Sequence, residues 1–561
     1  ENITVTTQTL GTLHDERAEI DYPSEGLVAH ELAHQWFGDL ITLENWGHLW
    51  LNEGVADYFT ALYRNHAGGD DEFIWEMDDL RQGYMREDAG EHRRPIVTLR
   101  YPAPISMFDR HSYNKGALVL HMVRYLTGEE GWWRGIRQYV ERFALRTVET
   151  PDFQNAMEQA SGASLGPLFD QYVYGAGHPE IEARWEWQAD RKMVRLVLRQ
   201  VQEQTAETGL FSFPLEIALV GESGTKVHSV PMLARQEQDL YIPSAARPRT
   251  VVVDPRGWML KDLRFDKPAE EWVIQYDTAG SLATRLEALR ALGELGGDTA
   301  VAALGRALRE DPFYGGRQVA AEALEEVGTE AALAALRPGL QDRDARVRTA
   351  VLEGFGSFPD HRDLIPPLRR ALEGEDSYKA RAAAAESLGK FGDQRGEVAP
   401  ILVRALSQES HRQVVRGAAI EALVELGAPQ AYEQALRLAR YGSPAESRDD
   451  AMDALAAIAQ ASEDPKRREE IRRTLEGYLS DKSYNARTDA QGALAKMADP
   501  DAIPALERSA RNAAESQEQQ GALEAIEDIR QALDKGDLEQ RVEQLEREVE
   551  VLKEAKGVEK Q

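Results

Sequence analysis

The sequence predicts a multidomain α+β protein: a mainly helical N-terminal region, a small antiparallel β-sandwich, a C-terminal α-solenoid and a short coiled-coil tail. Apolar residues recur with helical spacing in the first 178 residues, then with a period of two up to residue 268, and then in a repeated helix-ending motif up to residue 514. A chain of 561 residues is also several times the size of one hydrophobic core, so about three or four domains are expected.

Composition excludes several classes of protein. With 42% hydrophobic and 29% charged residues the chain is of the globular class, and no apolar run approaches the roughly 18 residues that span a bilayer. A net charge of -30 would repel nucleic acid. The sequence has no cysteine, so disulfides and thiolate zinc sites are excluded, and a metal would have to bind His, Asp or Glu. The chain starts at Glu1 rather than Met, so an export signal would not be visible and the compartment stays open.

The first predicted domain, residues 1–178, is aromatic-rich and helical. Helical apolar spacing is clearest in residues 26–37, 49–63 and 115–126. All the residues with recognisable chemistry lie in this region.

The second predicted domain, residues 179–268, changes to the period of a strand, and Gly and Pro separate its apolar runs. This pattern predicts the antiparallel β-sandwich. The alternating residues are Trp185 and Trp187, then Val194, Leu196 and Leu198, then Leu215, Ile217 and Leu219.

The third predicted domain, residues 269–514, repeats a unit in which an Ala-rich amphipathic helix ends in Leu-x-x-apolar-Gly. The spacing of the glycines and their equivalents runs from 28 residues (328 to 356) to 39 residues (459 to 498), which is typical of an α-solenoid of HEAT-like helix pairs. The repeated position is occupied by Gly296, Gly328, Gly356, Gly392 and Gly427, and by Ala459 and Ala498 in two weaker copies.

The fourth predicted region, residues 515–561, is highly charged. Its apolar residues alternate at spacings of four and three, which predicts a coiled-coil seam of only about two heptads. Such a seam could support self-association or only cover the last helix. The seam residues are Leu538, Val542, Leu545, Val549 and Leu552.

The segment HELAHQWFGDL carries the strongest chemical signal. Two histidines at positions i and i+4 lie on one face of a helix, so His30 and His34 can offer two imidazole nitrogens to one zinc ion. A second helical stretch, WLNEGVADYF, supplies a carboxylate as third ligand, and eighteen residues lie between its glutamate and His34. That carboxylate is Glu53. The sequence therefore predicts one zinc per chain, bound by His30, His34 and Glu53.

Three protein ligands leave a fourth position for water, which distinguishes a catalytic zinc site from a structural one. A water in that position would be acidified by the metal, and Glu31, beside the first ligand, would accept its proton as general base. The predicted reaction is metal-assisted hydrolysis of a carbonyl compound. Five further histidines are assigned no role because the ligand set is complete: His48, His66, His111, His121 and His178.

The segments HELAHQWFGDL, WLNEGVADYF and SYNKGALVLHM together resemble the M1 (gluzincin) family of zinc aminopeptidases. The resemblance covers residues 1–178, the YGAGHP turn at its end and the β-sandwich after it, and it implies a thermolysin-like catalytic domain. It assigns His30, His34 and Glu53 to zinc and Glu31 to the general base. It also assigns Tyr113 to stabilising the tetrahedral oxyanion, a role that suits a phenol in a closed cleft.

The family's exopeptidase motif, Gly-x-Met-Glu-Asn, is represented only by its last two residues, Glu1 and Asn2. The resemblance implies that Glu1 binds the free α-ammonium of a peptide substrate. It also implies that the N-terminal β-rich domain of the family is missing here, which would make this chain the C-terminal part of a larger enzyme.

Three functions compete at this point. The first is an aminopeptidase acting on peptides with a free N-terminus. The second is a thermolysin-type endopeptidase or an epoxide hydrolase, since both use the same zinc ligands. The third is a scaffold whose solenoid binds a protein partner beside a vestigial site, although the intact ligand and base set argues against decay. Neither a nucleic-acid partner nor a membrane span is expected.

Overall fold

The computed structural model describes residues 2–90 and 92–535, which form two compact units. The first unit comprises residues 2–13 and 22–347, and the second comprises residues 14–21 and 348–535. In the described part of the chain, no helix combines the length and the apolar character needed to cross a bilayer.

The N-terminal part of the first unit is mainly helical, as the apolar spacing predicts. Its α-helices are α1 (Glu25–His34), α2 (Glu53–Gly68), α3 (Asp70–Asp88), α4 (Gly116–Phe143), α5 (Thr150–Ser161) and α6 (Gly166–Leu168). Its short 3-10 turns are Leu10–Thr12, Trp46–Leu51 and Pro104–Met107, its π-helical turns are His111–Lys115 and Phe169–Val173, and β1 (Ile41–Leu43) pairs in parallel with β2 (Arg146–Val148).

Helices α2 and α4 cross at two glycines. A Cβ on Gly54 would lie 2.9 Å from the Cα of Gly116 and 2.9 Å from the carbonyl oxygen of Ser112, so neither glycine tolerates a side chain without movement of the backbone. This close approach holds the start of α2 against the turn that precedes α4. The fully buried side chain of Trp50 packs against Gly116 at this contact.

Residues 180–265 form two sheets. The four-stranded sheet has the order β7-β4-β3-β9 and the three-stranded sheet has the order β6-β5-β8. One pair, β3 with β9, is parallel, so the prediction of a purely antiparallel arrangement is wrong for that pair and correct for the others. The strands are β3 (Glu180–Gln188), β4 (Met193–Gln200), β5 (Phe213–Gly221), β6 (Gly224–Met232), β7 (Glu237–Pro243), β8 (Thr250–Val253) and β9 (Asp262–Phe265).

From residue 269 to residue 535 the chain is mainly helical. In the first unit the helices are α7 (Ala269–Thr278), α8 (Leu282–Leu295), α9 (Gly297–Glu310), α10 (Tyr314–Val327) and α11 (Glu330–Leu336), and α12 (Ala345–Phe355) begins at its end. The second unit contains α13 (Ile365–Gly374), α14 (Tyr378–Gly389), α15 (Arg395–Ala405), α16 (Val414–Glu425), α17 (Gln430–Leu438), α18 (Ala445–Ala461), α19 (Pro465–Tyr478), α20 (Tyr484–Met497) and α21 (Ile503–Asn512). Short 3-10 turns cover Ala18–Ile20, Arg337–Gln341, Arg362–Leu364, Gly392–Gln394, His411–Gln413 and Pro500–Ala502, and a last helical stretch covers residues 516–535.

The repeated glycines end helices in two ways, but the prediction of a helix end is wrong at Ala459, which lies inside α18, and Gly392 begins a 3-10 turn after α14 has ended. Gly296, Gly328 and Gly427 have φ values of 63°, 63° and 61°, in the left-handed region that favours glycine after a helix. Ala498 adopts the left-handed helical conformation of Gly328, with a φ of 53°, although an alanine there is strained. Gly356 instead has no room for a side chain, because its Cβ would lie 2.9 Å from the hydroxyl of Ser387.

An arginine near the start of alternate solenoid helices bonds to a partner in the next repeat. In the first unit Arg317 Nε lies 2.7 Å from Asp342 Oδ2. In the second unit the pairs are Arg348 with Glu375 at 2.8 Å, Arg448 with Asp481 at 2.6 Å and Arg487 with Glu518 at 2.7 Å. These paired charges help to fix the register of successive helix pairs.

Residues 14–21 pack within the second unit. The Asp21 carboxylate accepts hydrogen bonds from the Ser377 hydroxyl (2.6 Å) and the Lys379 backbone N–H (3.0 Å), at the start of α14. The hydroxyl of Tyr378 donates to Asp15 over 2.8 Å. The predicted coiled-coil seam, Leu538 to Leu552, lies outside the described residues. Self-association through this seam therefore stays a prediction.

Candidate metal centre

Helix α1 places the two predicted histidine ligands side by side. His30 and His34 lie one turn apart on α1, and His34 is the last residue of the helix. The Nε2 atoms of the two rings lie 3.0 Å apart. The i, i+4 spacing therefore produces the convergence of nitrogens that the sequence predicts.

The third predicted ligand is positioned by a buried turn. Trp46–Leu51 is a 3-10 turn in which Trp50 is fully buried, and the Trp50 indole donates to the hydroxyl of Thr150 over 2.9 Å. The turn leads directly into α2, whose first residue is Glu53. Glu53 is 4% exposed, so its carboxylate is held inside the domain with little freedom to move.

The three side chains form a triangle of ligand atoms. Glu53 Oε2 lies 3.4 Å from His30 Nε2 and 3.3 Å from His34 Nε2. Ligands at about 2.0 to 2.1 Å from a tetrahedral zinc ion are about 3.3 to 3.4 Å from one another. The two edges that include Glu53 match this spacing, and the third edge, between the histidine nitrogens, is shorter at 3.0 Å.

The hydrogen bond made by the Nδ1 atom of each imidazole determines the tautomer of that ring. His30 Nδ1 lies 2.9 Å from Asp57 Oδ1, and His34 Nδ1 lies 2.9 Å from the carbonyl oxygen of Phe37. Both partners are acceptors, so each Nδ1 carries a proton and each neutral ring presents a lone pair at Nε2. When both rings are neutral, two lone pairs and a carboxylate converge with no donor among them, which is an arrangement suited to a metal cation.

The acid–base behaviour of the same groups also favours a cation. Although burial opposes its charged form, hydrogen bonds to Asp57 and Glu53 raise the pKa of His30 to about 9. Burial would raise the pKa of Glu53, but hydrogen bonds to His30 and His34 lower it to about 2. Without a metal, a proton on His30 Nε2 thus supplies the positive charge beside Glu53, and a bound zinc ion would take the place of that proton.

The other predicted residues fall at different places. Tyr113 lies in the π-helical turn His111–Lys115, and its ring is parallel to that of His30 within 8°, with the centroids 6.1 Å apart. Glu31 follows His30 on α1 and is half-buried. Glu1 lies outside the described residues, so its predicted contact with substrate stays a prediction.

Asp57, which orients His30, was not predicted from the sequence. A signal for it was present, because Asp57 is four residues after Glu53 on α2 and therefore on the same helix face. A carboxylate that accepts a hydrogen bond from a metal-binding histidine is a frequent feature of zinc sites.

Comparisons with known proteins agree with this geometry. Residues 1–172 match the peptidase family M1 domain. Residues 269–356, 336–424 and 365–456 match HEAT repeats. The chain contains a peptidase family M1 domain followed by HEAT repeats.

The relatives that match are longer proteins. Over 158 residues the M1 region is 35% identical to rat (Rattus norvegicus) glutamyl aminopeptidase. The aligned segment covers 28% of this chain and 17% of that protein. The chain is 31% identical over 220 residues to the tricorn protease-interacting factor F2 of Thermoplasma volcanium, covering 38% of this chain and 26% of that one. This chain therefore spans only about a sixth to a quarter of their length.

A solved structure shares the fold over most of the chain. The crystal structure of Legionella pneumophila aminopeptidase A in complex with aspartic acid aligns with a TM-score of 0.59 at 16% identity, covering 90% of this chain and 65% of that one. At that identity the likeness concerns the fold alone. The alignment covers most of the chain, so the shared fold extends beyond the M1 domain.

Proposed function

We propose that the chain is a zinc metallopeptidase that releases N-terminal amino acids from peptides. The observation that carries the proposal is the triangle of His30, His34 and Glu53, in which two oriented lone pairs and a carboxylate converge at zinc-ligand spacing within an M1 domain. In this proposal residues 1–178 form a thermolysin-like domain that carries out catalysis. Residues 179–268 form a β-domain, and residues 269–514 form a solenoid without reacting groups.

Each residue of the site has one task in this proposal. His30, His34 and Glu53 would hold one zinc ion per chain, and Asp57 keeps the His30 ring in its binding tautomer. A zinc ion bound there would supply a Lewis acid and an acidified water. Glu31 accepts the proton of the attacking water and passes it to the leaving amine. Tyr113 donates a hydrogen bond to the oxygen that becomes negative in the transition state.

Restriction to the N-terminal residue of a substrate is assigned to Glu1. A carboxylate in a water-poor cleft forms a charge-assisted pair with the α-ammonium of a free peptide. A blocked peptide would leave that carboxylate desolvated and unpaired, and this penalty discriminates against it. The same arrangement would make internal peptide bonds poor substrates.

The test compares a free-amine peptide with its N-acetylated twin. We expect release of the first residue from the free peptide and no cleavage of the acetylated one. Replacing Glu1 by Ala should lower kcat/KM on the free peptide. The expected loss of transition-state stabilisation is about 2 to 4 kcal/mol, the cost of truncating one partner of a buried charged pair. Glu16→Ala is the matched control, because Glu16 is an exposed acid near the same end of the chain.

Mass spectrometry of the products distinguishes the remaining functions. Equal cleavage of both twins would contradict the aminopeptidase proposal and favour an endopeptidase on the same zinc ligands. Failure to cleave either peptide, together with hydrolysis of an epoxide, would favour the epoxide hydrolase. A zinc-loaded chain that is inert toward all three substrates would favour the scaffold.

A further inference from the structure

The turn that carries Tyr113 faces two environments. In the five-residue π-helical turn His111–Lys115, the side chains of His111, Ser112, Asn114 and Lys115 are buried. Tyr113 is the exception, and its ring stacks beside His30 at the metal centre. A π-helical turn is rare and is not favoured by local hydrogen bonding alone, so contacts elsewhere must hold it.

Each buried side chain of the turn has a partner outside it. The Ser112 hydroxyl accepts from Arg94 over 2.9 Å, and the Asn114 amide donates to the carbonyl of Leu80 over 2.9 Å. The Lys115 ammonium lies 3.4 Å from the carbonyl of Gly175. The turn is therefore tied to several separate segments of the domain.

His111 makes the most buried of these connections. Its side chain has no exposed surface, and its two ring nitrogens lie 3.4 Å from Asp88 Oδ1 and 3.3 Å from Glu87 Oε1. Asp88 is itself buried and contacts His178 Nδ1 at 3.1 Å. Burial opposes a charge on His111, but hydrogen bonds to Asp109 and Asp88 raise its pKa, which favours the charged form of the ring beside these carboxylates.

The cluster around His111 has the donor types of a second metal centre, because the ligand atoms of Glu87, Asp109 and His111 lie within 4.8 Å of one another. Two of its neighbouring carboxylates are already paired with arginines, however. Asp109 is held by Arg94 through contacts of 2.6 and 2.7 Å. Asp88 lies 3.0 Å from Arg93, and burial lowers the pKa of the adjacent Lys115 to about 7. A divalent ion would have to displace arginine, so the cluster is assigned to structure.

We propose that His111, held by Asp88, is a positioning residue that fixes the Tyr113 hydroxyl at the metal centre. The inference rests on the proposed function, because it assumes that Tyr113 stabilises the transition state. A displacement of about 1 Å at such a donor can lower a rate by about a hundredfold. His111 touches neither substrate nor metal, and it acts only through the turn.

A double-mutant cycle tests the inference on the full chain with the peptide that the wild type cleaves. We expect His111→Gln to lower kcat by about tenfold or more, with KM and zinc content little changed. In a Tyr113→Phe background, which already lacks the donor, the same substitution should change kcat by no more than about twofold. Non-additivity of this kind is specific to an effect that passes through the Tyr113 hydroxyl.

His121→Gln is the matched control. His121 is also a buried histidine in the helix that follows the turn, where it lies 3.1 Å from the hydroxyl of Tyr58 and stacks on Trp258. Its substitution should lower the thermal unfolding midpoint, as the change at His111 should, but its effect on kcat should be the same in both backgrounds. A general loss of stability is thereby separated from positioning.

Ser112→Ala provides a gentler second variant in case His111→Gln fails to fold, since it removes only the hydroxyl that Arg94 contacts. It should show the same non-additivity with a smaller loss. Equal losses of kcat in the two backgrounds, or no loss in the wild-type background, would overturn the inference while leaving the proposed function intact. A wild-type chain that cleaves no peptide would contradict the proposed function, and the inference with it.

Discussion

Replacing Glu31 by Gln is expected to abolish most peptide hydrolysis while zinc stays bound. The amide keeps the size and the hydrogen-bonding capacity of the carboxylate but cannot accept a proton, and loss of general base catalysis costs about 10²- to 10⁴-fold in kcat. Metal content should be unchanged, because Glu31 is not among the three converging ligands. Rate measurements at matched zinc occupancy would show this as a loss in kcat.

Glu25→Gln is the control for this variant. Glu25 is an exposed acid in the first turn of the same helix, where it lies 3.6 Å from Arg64. Its substitution removes the same charge from α1 without touching the metal centre and should leave kcat within about twofold. Near-wild-type activity of Glu31→Gln would remove Glu31 from the mechanism.

His34→Ala is expected to empty the metal centre. The substitution removes a ligand that is 2% exposed and leaves only His30 and Glu53, and two protein ligands bind zinc far more weakly than three. The protein should lose its zinc on dialysis against a weak chelator and lose peptide hydrolysis in parallel. Metal analysis of the dialysed protein measures the effect directly.

The control for this loss is His66→Ala, because His66 is an exposed histidine near the end of α2. That variant should keep its zinc and its activity. Full zinc occupancy of the dialysed His34→Ala protein would rule out the assigned ligand set. The unfolding midpoint of both variants shows whether the domain remains folded.

The convergence of His30, His34 and Glu53 could be predicted from the sequence because its geometry is largely local. His30 and His34 are one helical turn apart, and only Glu53 had to be brought in by a second helix. The same spacing rule places Asp57 on the ligand-bearing face of α2, but the sequence does not show that its carboxylate reaches His30 rather than solvent. Helix and strand periodicities likewise indicated where the helical regions and the sheets lie.

The contacts that hold Tyr113 could not be predicted because they join segments far apart in sequence. His111 meets Asp88, Asn114 reaches the carbonyl of Leu80, and Lys115 reaches that of Gly175. No spacing rule connects these positions. His111 was therefore assigned no role from the sequence, although the residue is fully buried in a charged network.

The hydrophobic pattern of the sequence also could not predict strand direction or the packing of residues 14–21. A period of two shows which side chains share a face but does not reveal the direction of a partner strand, so the parallel pairing of β3 with β9 was missed. Asp21 precedes α1 in sequence, yet its carboxylate binds the start of α14. Only the tertiary structure shows that contact.

Zinc titration of the metal-free chain tests the central claim most directly. After chelation and removal of the chelator, hydrolysis of a free-amine peptide should be absent, then rise linearly with added zinc and stop rising at one equivalent per chain. The three convergent ligands and their fixed tautomers predict this single tight site. Hydrolysis that persists in the metal-free chain, or that does not depend on zinc occupancy, would contradict the account.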